Sequence, residues 1–530
     1  MFKIPVRLWI ANAAARLCGT HGEVTDQAEA ADCSRQTVYD HARKVQAAIE
    51  TEHQGGPTRA QLLEENQRLR RENAQLWDWL AQTIEFPTSK QWQFAVTAAA
   101  MGLSLNQTLV LLTLILGAEA CPGRTTVHRT IKAAGIAAGR VLKHLDTKCK
   151  VLVLVGCLDE IFFHRRPVLV GVEPASMVWF LGQKADDRTG ATWSKALHDW
   201  SALQYVTADA GKGLQAGIAA VQQHRRAQGQ PALEGGLDVF HTVQEARRVS
   251  RAGWNRVERL WEQAETADRR VEQAQRQGQK SRGAAIAAHH AWRRAAAAFG
   301  QYERGEAAWK RAHVALGVFR PDGSLNDRAW AEAQIAEALP GLSAQEWSKV
   351  RGFLGAATAL TFLDRLHRQL EAAVPAAELR AELVHLWWLR RQRPRPGAAG
   401  AVVGAGHVAH LVQQVVCRDL DANWGVSYRA VARVLSQVVR ASSAVECMNS
   451  VLRMHQGRHR TLTQGLLDLK RLYWNCRTFG GGKRRGRCPY QHLGLDLESY
   501  DFWSLLKDEM STVLDEAKAR SKAQTRARAA

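Results

Sequence analysis

The chain has 530 residues, room for three or four structural units at roughly 100–200 residues each. Hydrophobic residues at 46% and charged residues at 23% are ordinary globular proportions and exclude wholesale disorder. Lys and Arg number 72 against 51 Asp and Glu, and the net charge of +21 favours a polyanionic partner: DNA, RNA or an anionic membrane surface. No apolar run approaches the roughly 18 residues of a spanning helix, and the start Met1-Phe2-Lys3-Ile4-Pro5 predicts no secretory leader. Nine cysteines, without any C-x-x-C pair, argue against a disulfide framework or a zinc ribbon.

Residues 1–50 read as short helices with a tight turn, the last helix opening at Cys33-Ser34-Arg35-Gln36-Thr37-Val38-Tyr39 with Ser34 as its N-cap. This is a helix-turn-helix pattern, in which Arg35 and Gln36 would face base edges and Thr37 a phosphate. Its six basic and six acidic residues mean that affinity here is not a bulk-charge effect. Over 58–86, Leu62, Leu69 and Leu76 recur every seven residues, with Asn66, Asn73 and Leu80 offset by four, the seam of a two-stranded coiled coil and hence of a homodimer. Residues 88–147 predict a second helix-turn-helix-like DNA-binding module, with Arg124, Thr125 and Arg129 at the start of its last helix. From Arg124 to Lys150 there are seven basic residues and one acid, a surface for phosphates with little base reading.

After Lys150 the period becomes strand-like. Val151–Asp159 predicts an apolar strand ending on a carboxylate, followed by strands at Pro167–Val172 and Met177–Leu181. Then come a helix (Thr192–Ala202), a strand (Gln204–Ala208) ending on Asp209, a helix (Gly213–Gln228) and a fifth strand (Gly236–Phe240). Carboxylates at strand ends of an open α/β sheet sit where ligands bind, and two or three of them suit a pair of Mg²⁺ ions acting on a phosphodiester. Residues 244–440 predict an all-helical insertion, with Trp254, Trp261, Trp292, Trp309, Trp330 and Trp347 mostly as core anchors and Trp254 as the one that would stack on a base. In 441–479, the helix starting at Ser442 places Glu446, Asn449 and Arg453 on one face, an acid to complete the metal set and two residues for phosphate. Val451–Arg487 holds ten basic residues and one acid among Tyr473, Trp474 and Phe479, so His455, Arg458, His459 and Arg460 are expected near DNA. Residues 480–530 predict a basic tail with Lys483, Arg484 and Arg485 on DNA. Cys476, Cys488 and His492 fit no closed zinc site.

Four motifs occur in order: Leu158-Asp159-Glu160; Thr207-Ala208-Asp209-Ala210-Gly211-Lys212-Gly213-Leu214; Asp238-Val239-Phe240-His241; and Ser443-x-x-Glu446-x-x-Asn449-x-x-Leu452-Arg453. Together they resemble a DDE transposase of the RNase H-like (retroviral integrase) superfamily, of bacterial insertion-sequence type. The D-x-x-H motif and the helical insertion are similar to those of hAT and Mutator-like transposases. The resemblance covers about Val151 to Leu495 and implies a multidomain α plus α/β protein: helix-turn-helix modules and a coiled coil before an RNase H-like core interrupted by an all-α insertion.

The resemblance further implies Mg²⁺-dependent DNA strand cleavage and strand transfer. Asp159, Asp209 and Glu446 would be the catalytic triad holding two Mg²⁺ per site (Mn²⁺ as substitute), and Asp238 and His241 an auxiliary pair. Glu160 should point to the opposite sheet face from Asp159. Transposon ends and target DNA would be the partners of a homodimer or higher oligomer, cytoplasmic and nucleoid-associated. The same residues also fit a transposase-derived regulator that binds DNA without cutting, or a structure-selective junction nuclease.

Overall fold

In a computed structural model of the chain, residues 6–52, 58–83, 86–392, 405–458 and 462–529 are described. They fall into two units, Met1–Phe86 and Pro87–Ala530.

The first unit consists of α1 (Val6–Leu17), α2 (Glu23–Ala30), α3 (Arg35–Glu52) and α4 (Arg59–Thr83). α3 begins at Arg35 because the Ser34 hydroxyl accepts the Thr37 amide at 3.1 Å and caps its first turn. A short turn with Asp32 at φ 46° separates α2 from α3. Buried polar contacts then hold the three helices together: Gln27 Nε2 donates to Asn12 Oδ1 at 2.9 Å, Asn12 Nδ2 lies 2.9 Å from His41 Nδ1, and Trp9 stacks on His41. α4 is one long helix whose Leu62, Leu69 and Leu76 are 54%, 51% and 62% exposed, leaving its leucine seam open to solvent. Leu80 lies on the same helix, but its side chain is outside the described residues.

The second unit opens with α5 (Thr88–Met101), α6 (Leu105–Leu116) and α7 (Arg124–Cys149). The chain then forms β1 (Val155–Phe163), β2 (Arg166–Val172), β3 (Trp179–Lys184), α8 (Gly190–His198), β4 (Tyr205–Ala208), α9 (Lys212–Ala227) and β5 (Glu234–Leu237). Helices α10 (Val239–Arg276) and α11 (Arg282–Ala315) follow as a long pair. After them come α12 (Arg328–Ala338), α13 (Ser348–Leu354), α14 (Thr361–Ala373), α15 (Ala377–Gln392), α16 (Ala405–Leu420) and α17 (Trp424–Ser436). The chain returns to the sheet through α18 (Ser443–Gln456) and α19 (Gln464–Cys476), and ends with α20 (Pro489–Leu493) and α21 (Phe502–Ala529). No helix among the described residues is long and apolar enough to cross a membrane.

The sheet is mixed, in the order β3-β2-β1-β4-β5, with β1 antiparallel to β2, β2 antiparallel to β3, and β4 parallel to both β1 and β5. It differs from expectation at its first strand. β1 starts at Val155 rather than Val151 and runs to Phe163, so Asp159 lies in the middle of the strand, opposite Val170, and not at its end. Ile161 and Phe163 extend the buried face beyond the carboxylate, and that burial keeps the strand going. Asp209 does follow directly on the end of β4.

Two further expectations change with packing. Residues 88–147 do not stand apart as a module: Ala133, Ala134, Ala137, Ala138, Leu142 and Leu145 of α7 join one core with Leu158 of β1 and Leu469 and Leu472 of α19. α7 and α19 approach closely at Gly135, where an added Cβ would sit 2.8 Å from the Gly465 backbone. Nor is 480–530 a tail, since Phe502, Leu506, Met510 and Val513 of α21 are buried in the same core. Among its described residues the insertion is helical apart from turns and an isolated bridge between Phe319 and Leu325. Within it Trp309 and Trp347 are buried and stacked at 6.5 Å and anchor its core, whereas Trp261, which meets Trp292 edge-on, is exposed.

Lys470 of α19 is 3% exposed, and its ammonium donates to the Ala99 carbonyl at the end of α5 at 3.0 Å. Burial, aided by the nearby Arg458 charge, pushes its pKa down from 10.5 to about 7. Below pH 7 folded and unfolded chains both carry the proton and the burial cost acts in full. Between about 7 and 10.5 only the unfolded chain keeps it, so this group makes stability rise with pH. Lys470→Met is therefore expected to raise the melting temperature most below pH 7 and to converge on wild type near pH 10. Thermal unfolding across that range checks it, and equal melting temperatures at pH 6.5 would refute it.

Candidate metal centre

Three side chains from distant parts of the chain meet beside the sheet. Asp159 comes from the middle of β1, His241 from the first turn of α10, and Glu446 from the first turn of α18. Each offers a ligand atom within 4.8 Å of the others, and this is the one such grouping found among the described residues.

The start of α10 explains how His241 arrives there. Asp238 follows β5, its amide donating to Ala208 O of β4 at 2.9 Å, and it caps α10 by accepting the Phe240 amide at 2.7 Å. Fully buried, it also accepts the Ser442 amide at 3.0 Å, the Ser442 hydroxyl, and the His241 Nδ1–H at 2.5 Å. Burial would raise the Asp238 pKa, but the hydrogen bonds from His241 and Ser442 together outweigh it and hold the carboxyl below its ordinary value. The other ring nitrogen of His241, Nε2, is 3.4 Å from Glu446 Oε1, and Glu446 Oε2 is 3.6 Å from Arg453 Nη2.

The charges respond to this geometry. Hydrogen bonds to Asp238 and then to Glu446 raise the His241 pKa from 6.5 to about 10, and the same His241 contact lowers Glu446. Asp159 moves the other way: burial, with the charges of Asp209 and Glu446 added, pushes it up to about 7 against the lowering effect of the Glu160 amide. Asn449, one turn after Glu446, donates its Nδ2 to Asp159 Oδ2 at 2.6 Å. Asn449 is fully buried and its Oδ1 has no hydrogen-bond partner, a polar atom left over on the residue that holds Asp159.

Asp209 stands slightly apart. It lies outside the 4.8 Å grouping, yet it lines the same cleft of about 500 Å³ as His241, and its charge acts on Asp159. Its Oδ1 accepts the Gly211 amide at 2.9 Å. Of the expected triad, then, Asp159 and Glu446 converge, and the expected auxiliary residue His241 takes the third place. Glu160 turns to the other face as strand alternation requires, bonded to Arg188 at 2.6 Å.

The donor set fits a divalent cation. Ligands on opposite sides of an ion at bond lengths of roughly 2.1–2.4 Å are separated by at most roughly 4.2–4.8 Å, and the three ligand atoms here lie within 4.8 Å of one another. Asp159 and Glu446 supply hard oxygens, His241 supplies nitrogen once deprotonated, and the leftover Asn449 oxygen supplies a polar neighbour.

The residues expected on DNA divide into three groups. Arg35 and Gln36 are exposed on α3, with Thr37 half-buried, while Arg124, Thr125 and Arg129 are exposed on α7, and Arg453, Arg458, Lys483 and Arg485 are exposed near α18 and the segment before α20. A second group is committed inside the protein. Asn449 and His455 are buried; Arg484 donates to the Pro174 and Ala175 carbonyls; Trp474 is buried with its Nε1 on Met177 O; and Tyr473 packs edge-on against Phe502. Trp254 stands by itself: it is exposed, but its indole donates to Glu258 at 2.7 Å and it is thirteen residues beyond His241, about 20 Å along α10 at ~1.5 Å per residue. His459 and Arg460 lie outside the described residues. Sequence reasoning missed Arg440, whose carbonyl accepts the Val239 amide at 3.0 Å, and Ser442, whose amide and hydroxyl both donate to Asp238; a backbone contact leaves no motif, and one serine among several carries no signal of its distant partner.

Comparison with protein-family models, curated proteins and solved structures gives no match for this chain.

The His241 environment makes a direct prediction. In protein freed of metal by a chelator, His241 should stay protonated through pH 9, and Asp238→Asn or Glu446→Gln should each move its titration down toward 6.5, because each removes a carboxylate acceptor. Imidazole NMR titration reads this, and an unchanged midpoint in both variants would rule out the coupling.

Proposed function

We propose that this protein is a metal-dependent DNA-cutting and strand-joining enzyme, a transposase of the DDE type with an RNase H-like core. The observation that carries this reading is the convergence of Asp159, His241 and Glu446 from β1, α10 and α18. The strand order 3-2-1-4-5, with Asp209 at the end of β4 beside β1, supports the RNase H-like assignment. The net charge of +21 and the exposed basic residues of α3, α7 and the segment around Lys483 and Arg485 support a DNA partner. The open leucine seam of α4 supports a dimer.

Asp159 and Glu446 would hold a cation with His241, and Asp209 would contribute from the adjoining cleft to a second. Mg²⁺ or Mn²⁺ bound there supplies charge that stabilises the oxyanions of an in-line displacement at phosphorus. The chain's own residues do the rest. Asn449 fixes the rotation of Asp159, Asp238 fixes the ring of His241, and Arg453 beside Glu446 presents a cation to the DNA backbone. In the reaction a water, and later a DNA 3′-hydroxyl, forms the new P–O bond as the old one breaks, and the departing 3′-oxygen takes up a proton.

Three variants test the proposal: Asp159→Ala, Asp209→Ala and Glu446→Ala should each lower Mg²⁺-dependent cleavage of labelled element-end DNA by at least about 10³-fold, roughly 4 kcal/mol in barrier. Gel-shift binding should stay within about threefold of wild type. Undiminished cutting by all three would remove the assignment. For the dimer, Leu69→Arg should convert the chain to a monomer by light scattering, and an unaltered mass would exclude the α4 seam.

A further inference from the structure

A second polar cavity lies at the other end of the sheet. Val155 and Tyr205, which begin β1 and β4, line a space of about 70 Å³ with Arg365 of α14. Asp159 is four residues further along β1, about 13 Å away at ~3.3 Å per residue, so this cavity is separate from the candidate metal centre.

Its chemistry is set by one cation. Arg365 is half-buried, and burial lowers its pKa, yet a guanidinium stays ionised at any ordinary pH. Its guanidinium carbon is 5.1 Å from the centre of the Tyr205 ring. Among the described residues it has no hydrogen bond and no ion pair. Glu234, the acid that acts on it, is already paired with Arg368. The rim adds two carboxamides, Gln369 and Gln437, and the remaining wall is apolar, including Val438. A half-buried guanidinium with five N–H groups and no protein acceptor is partly stripped of water and open to an acceptor from a ligand.

We propose that this cavity is a binding site for a tetrahedral oxyanion, a phosphate or sulfate group, taken up by Arg365 with Gln369 and Gln437 at the rim. At roughly 10–15 Å³ per water-sized centre, the space accommodates about five heavy atoms, the count of such an ion. The guanidinium fork matches two of its oxygens. The group can come from free inorganic phosphate or from a nucleic-acid backbone, and the two sources are separable by experiment. Val438 and Val439 in the wall lead directly to Arg440 and Ser442, so an occupant would brace the segment that holds Asp238.

The test is thermal unfolding of the full chain at fixed ionic strength, with chloride as the balancing salt and acetate as a planar control. Inorganic phosphate at tenfold excess over its dissociation constant should raise the wild-type melting temperature by about 2 °C, and Arg365→Met, which keeps the packing on Tyr205, should abolish that rise. A pentanucleotide in place of phosphate identifies a backbone source if its effect alone depends on Arg365. If Arg365→Met fails to fold, phenylglyoxal labelling of the wild type read by mass spectrometry decides the question: phosphate or the pentanucleotide should slow modification of Arg365 at least fivefold. Equal shifts in wild type and Arg365→Met with both probes, an equal shift with acetate, or labelling unaffected by either probe would overturn the proposal.

Discussion

The Asp238 carboxylate, buried where the helical insertion leaves and rejoins the sheet, governs the rest of the site. A charge with no exposure is tolerated only when its lone pairs are used, and here four donors use them: the Phe240 amide, the Ser442 amide and hydroxyl, and the His241 ring. Two of those donors are 204 residues away in sequence. The single carboxylate therefore closes the insertion, starts α10, and orients the histidine that points at Glu446. Removing one donor would leave a buried anion short of a partner, a larger penalty than the lost bond itself.

The charge pattern around it has an internal logic. Two carboxylates and a histidine share a small volume. His241 carries a proton with its pKa at about 10, Glu446 is stabilised as an anion by that proton, and Asp159 sits near neutrality at about 7. A divalent cation would compete with the His241 proton for the same lone pair, so its binding is linked to proton release. The Asn449 amide keeps Asp159 in place whichever form it takes, since it donates to the carboxyl oxygen from a fully buried position.

Much of this was readable before folding. Asp209 ends an apolar run and starts a Gly-rich turn, and the Asp-x-x-His spacing places an N-cap and a ring within one helical turn, so both signals are local. Placing Asp159 at a strand end failed because apolarity alone does not set strand limits; pairing with Val168 and Arg166 of β2 does, and that is long-range information. Asn449 was expected on phosphate because its helix face was known, but which neighbour that face meets was not. The C-terminal helix is a different case: Phe502, Leu506, Met510 and Val513 follow helical spacing, and the abundance of charge around them masked a legible buried stripe.

The insertion is bound into the site at both ends. It begins with the turn that carries His241, and its last residues, through Arg440 and Ser442, hold the first turn of α10 and lead into the helix that carries Glu446. Trp309 and Trp347 stack within a core that α10 and α11 share with the segment around Trp347, so the insertion is packed as one body with the start of α10. A body joined at both ends to the elements that carry His241 and Glu446 cannot shift against the sheet without altering the distance between those two side chains. Whatever loads the insertion from outside would therefore act on the geometry of the centre through Asp238, whose carboxylate bonds both to the first turn of α10 and to Ser442.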